Sequence, residues 1–295
     1  MLLVVDVGNT NTVLGVFTRS QSDAARYEGL AANWRVTTVV AQTVDEYLVL
    51  FRNLFAMDKI DVKGISGIVI SSVVPPLDST LRRVCERYFN TKPLFIEPGI
   101  KTGMPVLYDN PGEVGADRIV NSVAAFEKYG GPCIVVDFGT ATTFDCVSAK
   151  GEYMGGVICP GLGISANALF EKTARLPRVD IRKPPRVIGS TTVGSLQSGL
   201  YYGYLGLVDG IIERLLEELG PETKVLATGG LGAMIGTGSR FIREVDDLLT
   251  LEGLRIIWER NADARASSAT KAQRASAASG EKASRPWPAN KSKAR

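Results

Sequence analysis

Val4-Val5-Asp6-Val7-Gly8-Asn9-Thr10-Asn11-Thr12, near the start of the chain, is echoed by Val135-Val136-Asp137-Phe138-Gly139-Thr140-Ala141-Thr142-Thr143. Five of the nine positions are identical, at a constant offset of 131. Each unit is an apolar run ending in Asp, then Gly, then small hydroxyl or amide residues that lead into a second β-rich run. A period of about 20 to 50 residues would mean a stacked array. A single repeat at this distance predicts instead an α/β chain of two similar lobes facing one another.

The residue types point to a ligand. A tight turn of Gly and small side chains aims backbone N–H groups into one concavity, where phosphate oxygens can accept from them. Thr and Asn add donors without bulk, and an Asp at the strand end can hold a cation that neutralises phosphate charge. Two such hairpins could grip a triphosphate from both sides. A third element, Lys224-Val225-Leu226-Ala227-Thr228-Gly229-Gly230-Leu231, is an apolar strand that breaks at a Gly pair before a helix. Backbone there can approach a flat ligand such as adenosine. The plainer alternative is a pair of hairpins with Gly/Asn/Thr-rich turns and no ligand.

Working outward, residues 2–7 and 12–17 read as strands, 43–57 and 77–89 as helices, and 67–74 as a buried strand ended by Pro75 and Pro76. A Pro- and Gly-rich loop covers 97–113, and a helix follows over 114–129. A β pair spans 133–148 and continues into a strand near 153–159. Two more helices come next. In the second, Leu207/Val208, Ile211/Ile212, Leu215/Leu216 and Leu219 recur at helical spacing and read as core packing. Gly199, Gly203, Gly206 and Gly210 on that segment permit close helix–helix approach, a dimer interface included. The division expected is a lobe over 1–113, a lobe over 114–261 and a disordered tail over 262–295, where Ala, Ser, Lys and Arg dominate.

Composition excludes several chemistries. The 295 residues contain no His, so Ser-His and Cys-His triads, His bases and most zinc catalysis are absent. The four cysteines have no CxxC spacing and read as buried thiols. The net charge of +3 comes from the tail, where eight Lys/Arg face Asp263 and Glu281; residues 1–261 alone are net acidic. Bulk charge therefore gives no reason to expect a nucleic-acid surface on the folded body. No apolar run reaches the ~20 residues of a membrane helix. The N-terminus has no basic segment before its apolar run, and Asp6 comes too early for a signal peptide. The expectation is a cytoplasmic protein. GxxxxGK[ST] does not occur, and the Asp6 turn leads into a strand rather than the helix a dinucleotide fold needs.

Two phosphate hairpins and a late Gly-Gly turn resemble the superfamily of actin, heat-shock ATPase chaperones and sugar kinases, with ribonuclease-H-like lobes and ATP in the cleft. Asp6-Val7-Gly8-Asn9-Thr10-Asn11, Gly115-Ala116-Asp117-Arg118, Asp137-Phe138-Gly139-Thr140-Ala141-Thr142-Thr143 and Gly155-Gly156-Val157-Ile158-Cys159-Pro160-Gly161-Leu162 are similar, in order, to the signature segments of type III pantothenate kinases. That resemblance covers roughly residues 1–260.

The resemblance implies phosphorylation of the primary hydroxyl of pantothenate by ATP, the first step towards coenzyme A. By it, Asp6, Val7, Gly8, Asn9, Thr10, Asn11, Thr12 and Val13 cradle ATP, with Asp6 near the magnesium-bound phosphates and Thr140 touching the nucleotide. Asp117 is the base facing the substrate hydroxyl. Tyr108, Gly115, Ala116, Arg118 and Thr192 line the pantothenate pocket with it, and Asp137 holds a monovalent cation, potassium or ammonium. The family pattern implies a homodimer. On residue chemistry alone, the Asp117–Arg118 pair also reads as a helix-start carboxylate beside a surface Arg. The helix dipole should keep Asp117 ionised and hence a weak base, which loose phosphoryl transfer tolerates. Three alternatives stay open here: a kinase of this fold for another hydroxylated acceptor, a non-catalytic regulatory relative, and a filament-forming or chaperone ATPase.

Overall fold

The computed structural model describes residues 1–23 and 26–261; the expectation for 262–295 lies outside the described residues. In chain order the elements are β1 (Leu2–Val7), β2 (Asn11–Arg19), β3 (Tyr27–Thr37), α1 (Val44–Met57), β4 (Gly67–Ser72), α2 (Pro75–Phe89), β5 (Leu94–Phe95) and α3 (Ala116–Tyr129). Then come β6 (Cys133–Phe138), β7 (Ala141–Val147), β8 (Tyr153–Pro160), α4 (Leu162–Glu171), α5 (Thr192–Ser198), α6 (Tyr204–Leu219), β9 (Lys224–Thr228), α7 (Gly232–Gly236), β10 (Glu244–Val245) and α8 (Leu249–Arg260). Pro75 and Pro76 open α2 rather than merely closing the strand before it, because proline suits the first turn of a helix, where its missing N–H has no partner to lose.

The strands form two five-stranded sheets of the same topology, β3-β2-β1-β4-β5 and β8-β7-β6-β9-β10. In each, a central strand pairs antiparallel with its hairpin partner and parallel with a later strand. The sequence repeat is thus a repeat of whole lobes. No helix among the described residues is long and apolar enough to cross a membrane.

Alternation along the central strands sorts side chains into layers. Leu3, Val5 and Val7 of β1 face an outer core with Tyr47, Phe51 and Phe55 of α1 and Leu77 and Leu81 of α2. Ile134, Val136 and Phe138 of β6 face another, with Tyr204, Val208 and Ile212 of α6. The other faces, Leu2 and Val4 of β1 and Cys133 and Val135 of β6, share one middle core with α3 and α8. One step of two residues beyond Val4 and Val135, the same alternation turns Asp6 and Asp137 towards that middle layer.

The sequence pattern leaves α8 unassigned. It packs on α3, β1 and β4, with Leu249, Leu251, Leu254, Ile257 and Trp258 buried. A helix enclosed on several sides lacks the single apolar stripe that betrays an amphipathic one. Its approach to α3 is close enough that a Cβ at Gly253 would stand 2.2 Å from the Val120 carbonyl oxygen. Some glycines of the α5–α6 segment leave open space around them. The two helices join through a π-turn, Gly199–Gly203, and a Cβ added at Gly199, Gly203 or Gly206 meets nothing within 4 Å.

Candidate active site

The two repeated hairpins touch at their tips, where the Thr10 and Thr140 hydroxyls share a hydrogen bond of 2.7 Å. They are not the same length. Val7 stands opposite Thr12 in the first, but Phe138 opposite Thr142 in the second. The second loop is therefore one residue shorter, and the offset of 131 becomes 130 beyond it. Thr142, not Thr143, is the counterpart of Thr12; both are 1% exposed. Thr12 bonds Thr38 at 2.9 Å, and Thr142 bonds Tyr204.

Each loop is closed from within. Gly8 N–H donates to the Asn11 carbonyl at 3.0 Å, Gly139 N–H to that of Ala141 at 3.1 Å, and Thr38 fastens the first loop through the Gly8 carbonyl at 2.7 Å. Among the described residues, the backbone N–H groups of Asn9, Thr10 and Thr140 at the exposed tips donate to no protein group. Such groups suit an anion.

Asp6, at the end of β1, and Asp137, at the end of β6, converge with Asp117 in the first turn of α3. Burial pushes Asp6 up to about 8, with the charges of Asp117 and Asp137 adding to it. Burial, Asp117 and Asp145 push Asp137 up to about 7, against a hydrogen bond from Asn121. The Asn121 amide donates to Asp137 Oδ2 at 3.0 Å and accepts from Thr250 of α8 at 2.7 Å, so α8 orients the Asp137 carboxylate at one remove. Gly229 lies against the other oxygen: with φ +89°, its missing Cβ would stand 2.4 Å from Asp137 Oδ1. The Gly pair read as an adenosine platform thus first serves a close approach of β9 to Asp137.

Asp117 departs from the helix-dipole expectation. Burial raises its carboxyl above the ordinary range, opposed by the Arg118 amide, which donates at 2.8 Å, and the Arg118 charge. Desolvation outweighs the dipole here, making Asp117 a stronger base than an exposed aspartate.

Nor is Arg118 a surface residue. It is 8% exposed, and its Nε donates to Asp145 at 2.6 Å, a carboxylate also held by Tyr153 Oη at 2.9 Å and Thr143 Oγ1 at 3.0 Å. Its guanidinium lies over the Tyr153 ring, 5.8 Å from the centroid. One terminal nitrogen, Nη2, is buried without a hydrogen-bond partner among the described residues. A planar donor fixed on one edge, with a buried and unsatisfied donor left over, is suited to a substrate carboxylate.

Tyr108, Gly115, Ala116, Asp117 and Arg118 assemble in one place. The Tyr108 ring packs against Gly155 of β8 and lies 6.4 Å from that of Tyr153. Thr192 does not join them within the chain. It lines a separate cavity of about 330 Å³ with Leu169, Leu176, Ser195, Leu196, Gly199 and Leu200. Asp145, Asn121, Tyr153 and Thr250 are missed by sequence reasoning.

The carboxylates present fit a cation only in part. No three His, Cys, Asp or Glu side chains cluster closely enough to cage a metal among the described residues. Any cation held by Asp6 or Asp137 would therefore take further oxygens from phosphate, carbonyl, hydroxyl or water.

A family model described as type III pantothenate kinase matches residues 2–214. A protein of that name from Koribacter versatilis (strain Ellin345) is 73% identical over 263 residues, 88% of this chain and 96% of the relative. Among solved structures, a Campylobacter jejuni protein assigned to the Baf family of transcriptional activators aligns with TM-score 0.53 at 20% identity, covering 88% of this chain and 99% of that one. The activator of 2-hydroxyisocaproyl-CoA dehydratase from Clostridium difficile, with bound ADPNP, aligns with TM-score 0.51 at 11% identity, covering 92% and 97%. At these identities the two structures speak for the fold alone.

Proposed function

The chain belongs to the type III pantothenate kinase family, and from that premise we propose how its residues divide the work of phosphorylating pantothenate with ATP on the way to coenzyme A. The triphosphate lies between the two hairpins, over residues 6–13 and Thr140. Pantothenate lies beside Tyr108, Gly115, Ala116 and Arg118, with its primary hydroxyl at Asp117. The observation that supports this most is the meeting of three aspartates beside two touching, lysine-free hairpins.

In the reaction, Asp117 accepts the proton of the hydroxyl as its oxygen attacks the γ-phosphorus. The bond from that phosphorus to the bridging oxygen breaks, and ADP leaves. The transition state is loose, so alignment and neutralisation of charge matter more than base strength. Arg118, backed by Asp145, offers its unpartnered Nη2 to the substrate carboxylate. Asp6 would hold magnesium through the phosphates and Asp137 a potassium or ammonium ion; such ions would supply positive charge that the hairpin loops lack.

A homodimer, a cytoplasmic location and the division into lobes at 113/114 belong to the same proposal. Thr192 contributes to the pantothenate pocket only if two copies pair, and the open Gly199, Gly203 and Gly206 would allow close contact there. The test is ATP turnover with and without pantothenate, in potassium and in sodium. Turnover should require pantothenate and fall when sodium replaces potassium. Full activity in sodium, free of potassium and ammonium, would remove the role of Asp137.

A further inference from the structure

The hairpin loops, residues 8–11 and 139–141, contain no Lys or Arg, yet one guanidinium reaches the space beside them from outside. Arg35 lies on β3 opposite Val13 of β2 in the antiparallel register, and directly opposed residues share a face. Val13 packs on the middle core, so Arg35 is on the side of the sheet that looks towards the second lobe. Its Nη1 is 3.5 Å from where a Cβ on Gly230 would be. The side chain thus reaches from the first sheet to the Gly229–Gly230 turn after β9.

Two further observations give that reach a purpose. The charge of Arg35 favours the ionised form of both Asp6 and Asp137, so it lies within electrostatic range of both hairpins. Its guanidinium forms no hydrogen bond or ion pair among the described residues, leaving its donors available. A solvated strand arginine with no task would not need to cross to the other lobe.

We propose that Arg35 is a nucleotide-positioning residue that grips the phosphates remaining on ADP. The inference rests on ATP lying between the hairpins with its adenosine towards the Gly229–Gly230 turn. A group standing between that turn and the hairpins meets the α- and β-phosphates rather than the γ-phosphoryl. The β-phosphate gains negative charge as the γ-phosphoryl departs, and a guanidinium can meet two oxygens at once. Arg35 therefore supplies from β3 the positive charge that the loops lack.

Calorimetry on the full chain with ADP and with adenosine tests this, using Arg35→Ala, Arg35→Lys and Arg35→Gln. Arg35→Ala and Arg35→Gln should weaken ADP about 10- to 100-fold, as loss of a charge-assisted hydrogen bond implies, and leave adenosine unchanged. Arg35→Lys should recover part of the loss. In turnover, KM for ATP should rise while KM for pantothenate stays put. Unchanged ADP affinity in Arg35→Ala, or equal losses for ADP and adenosine, overturns the role of Arg35. Protection of the Gly8–Thr12 and Gly139–Thr142 amides from hydrogen exchange by ADP in the unaltered protein tests the underlying site. If those amides stay unprotected, the hairpin reading falls, and the Arg35 proposal with it.

Discussion

Asp6, Asp117 and Asp137 each do best, electrostatically, when the others are protonated, and burial adds to that. An ordinary aspartate has a value near 3.8, whereas Asp6 and Asp137 stand at about 8 and about 7 in the fold. Between those limits the native protein holds protons that the unfolded chain has released. Stability contributed by these groups is thus complete at low pH and is lost as pH rises through about 7 to 8. Melting of the protein without nucleotide should show Tm falling between about pH 5 and about pH 8.5; a rise across that range would contradict the burial of these carboxyls. Asp117→Asn should keep ATP affinity nearly intact while lowering turnover at least about a hundredfold, the loss expected of a general base. Near-normal turnover would move that role elsewhere. Asp6 and Asp137 are legible in sequence because they recur in matching surroundings. Asp145 and Asn121 are not, since their work depends on which strand or helix faces them: Asn121 reaches Asp137 across 16 residues, and Arg118 reaches Asp145 across 27.

Among the elements, the hairpins and most helices are readable from alternation and helical spacing, because each buries one face. Helix α8 escapes because its neighbours enclose it on several sides. Its middle glycine makes a sharp test of packing against propensity. In an exposed helix Gly→Ala is favourable by about 1 kcal/mol. At Gly253 the new methyl would press on the Val120 carbonyl at 2.2 Å, and forced overpacking costs ~1 to 3 kcal/mol. Gly253→Ala should therefore lower the urea midpoint, and a raised midpoint would mean that α3 and α8 are not so closely seated. Through Thr250 and Asn121 the same substitution should also disturb Asp137, so its cation dependence is worth measuring alongside.

At the scale of the molecule, the chain is an α–β–α–β–α stack whose two sheets share a topology, and the nine-residue repeat was enough to predict two facing lobes. The same sequence could not reveal that Thr192 would lie apart from the other substrate residues, since that depends on how α4 and α5 pack. Deleting residues 262–295 should leave pantothenate-dependent turnover unchanged, because every residue assigned to the site, Gly229, Gly230 and Thr250 included, lies before residue 262; loss of turnover would give the basic tail a part in the reaction. The unequal hairpins carry one more implication. Loops of matching size and make-up would meet a row of phosphates with almost the same donors from either end, and a nucleotide could lie in them head-first or tail-first. Dropping one residue from the second loop spoils that equivalence, so the cleft has a front and a back, and a single terminal phosphoryl can be turned towards the acceptor.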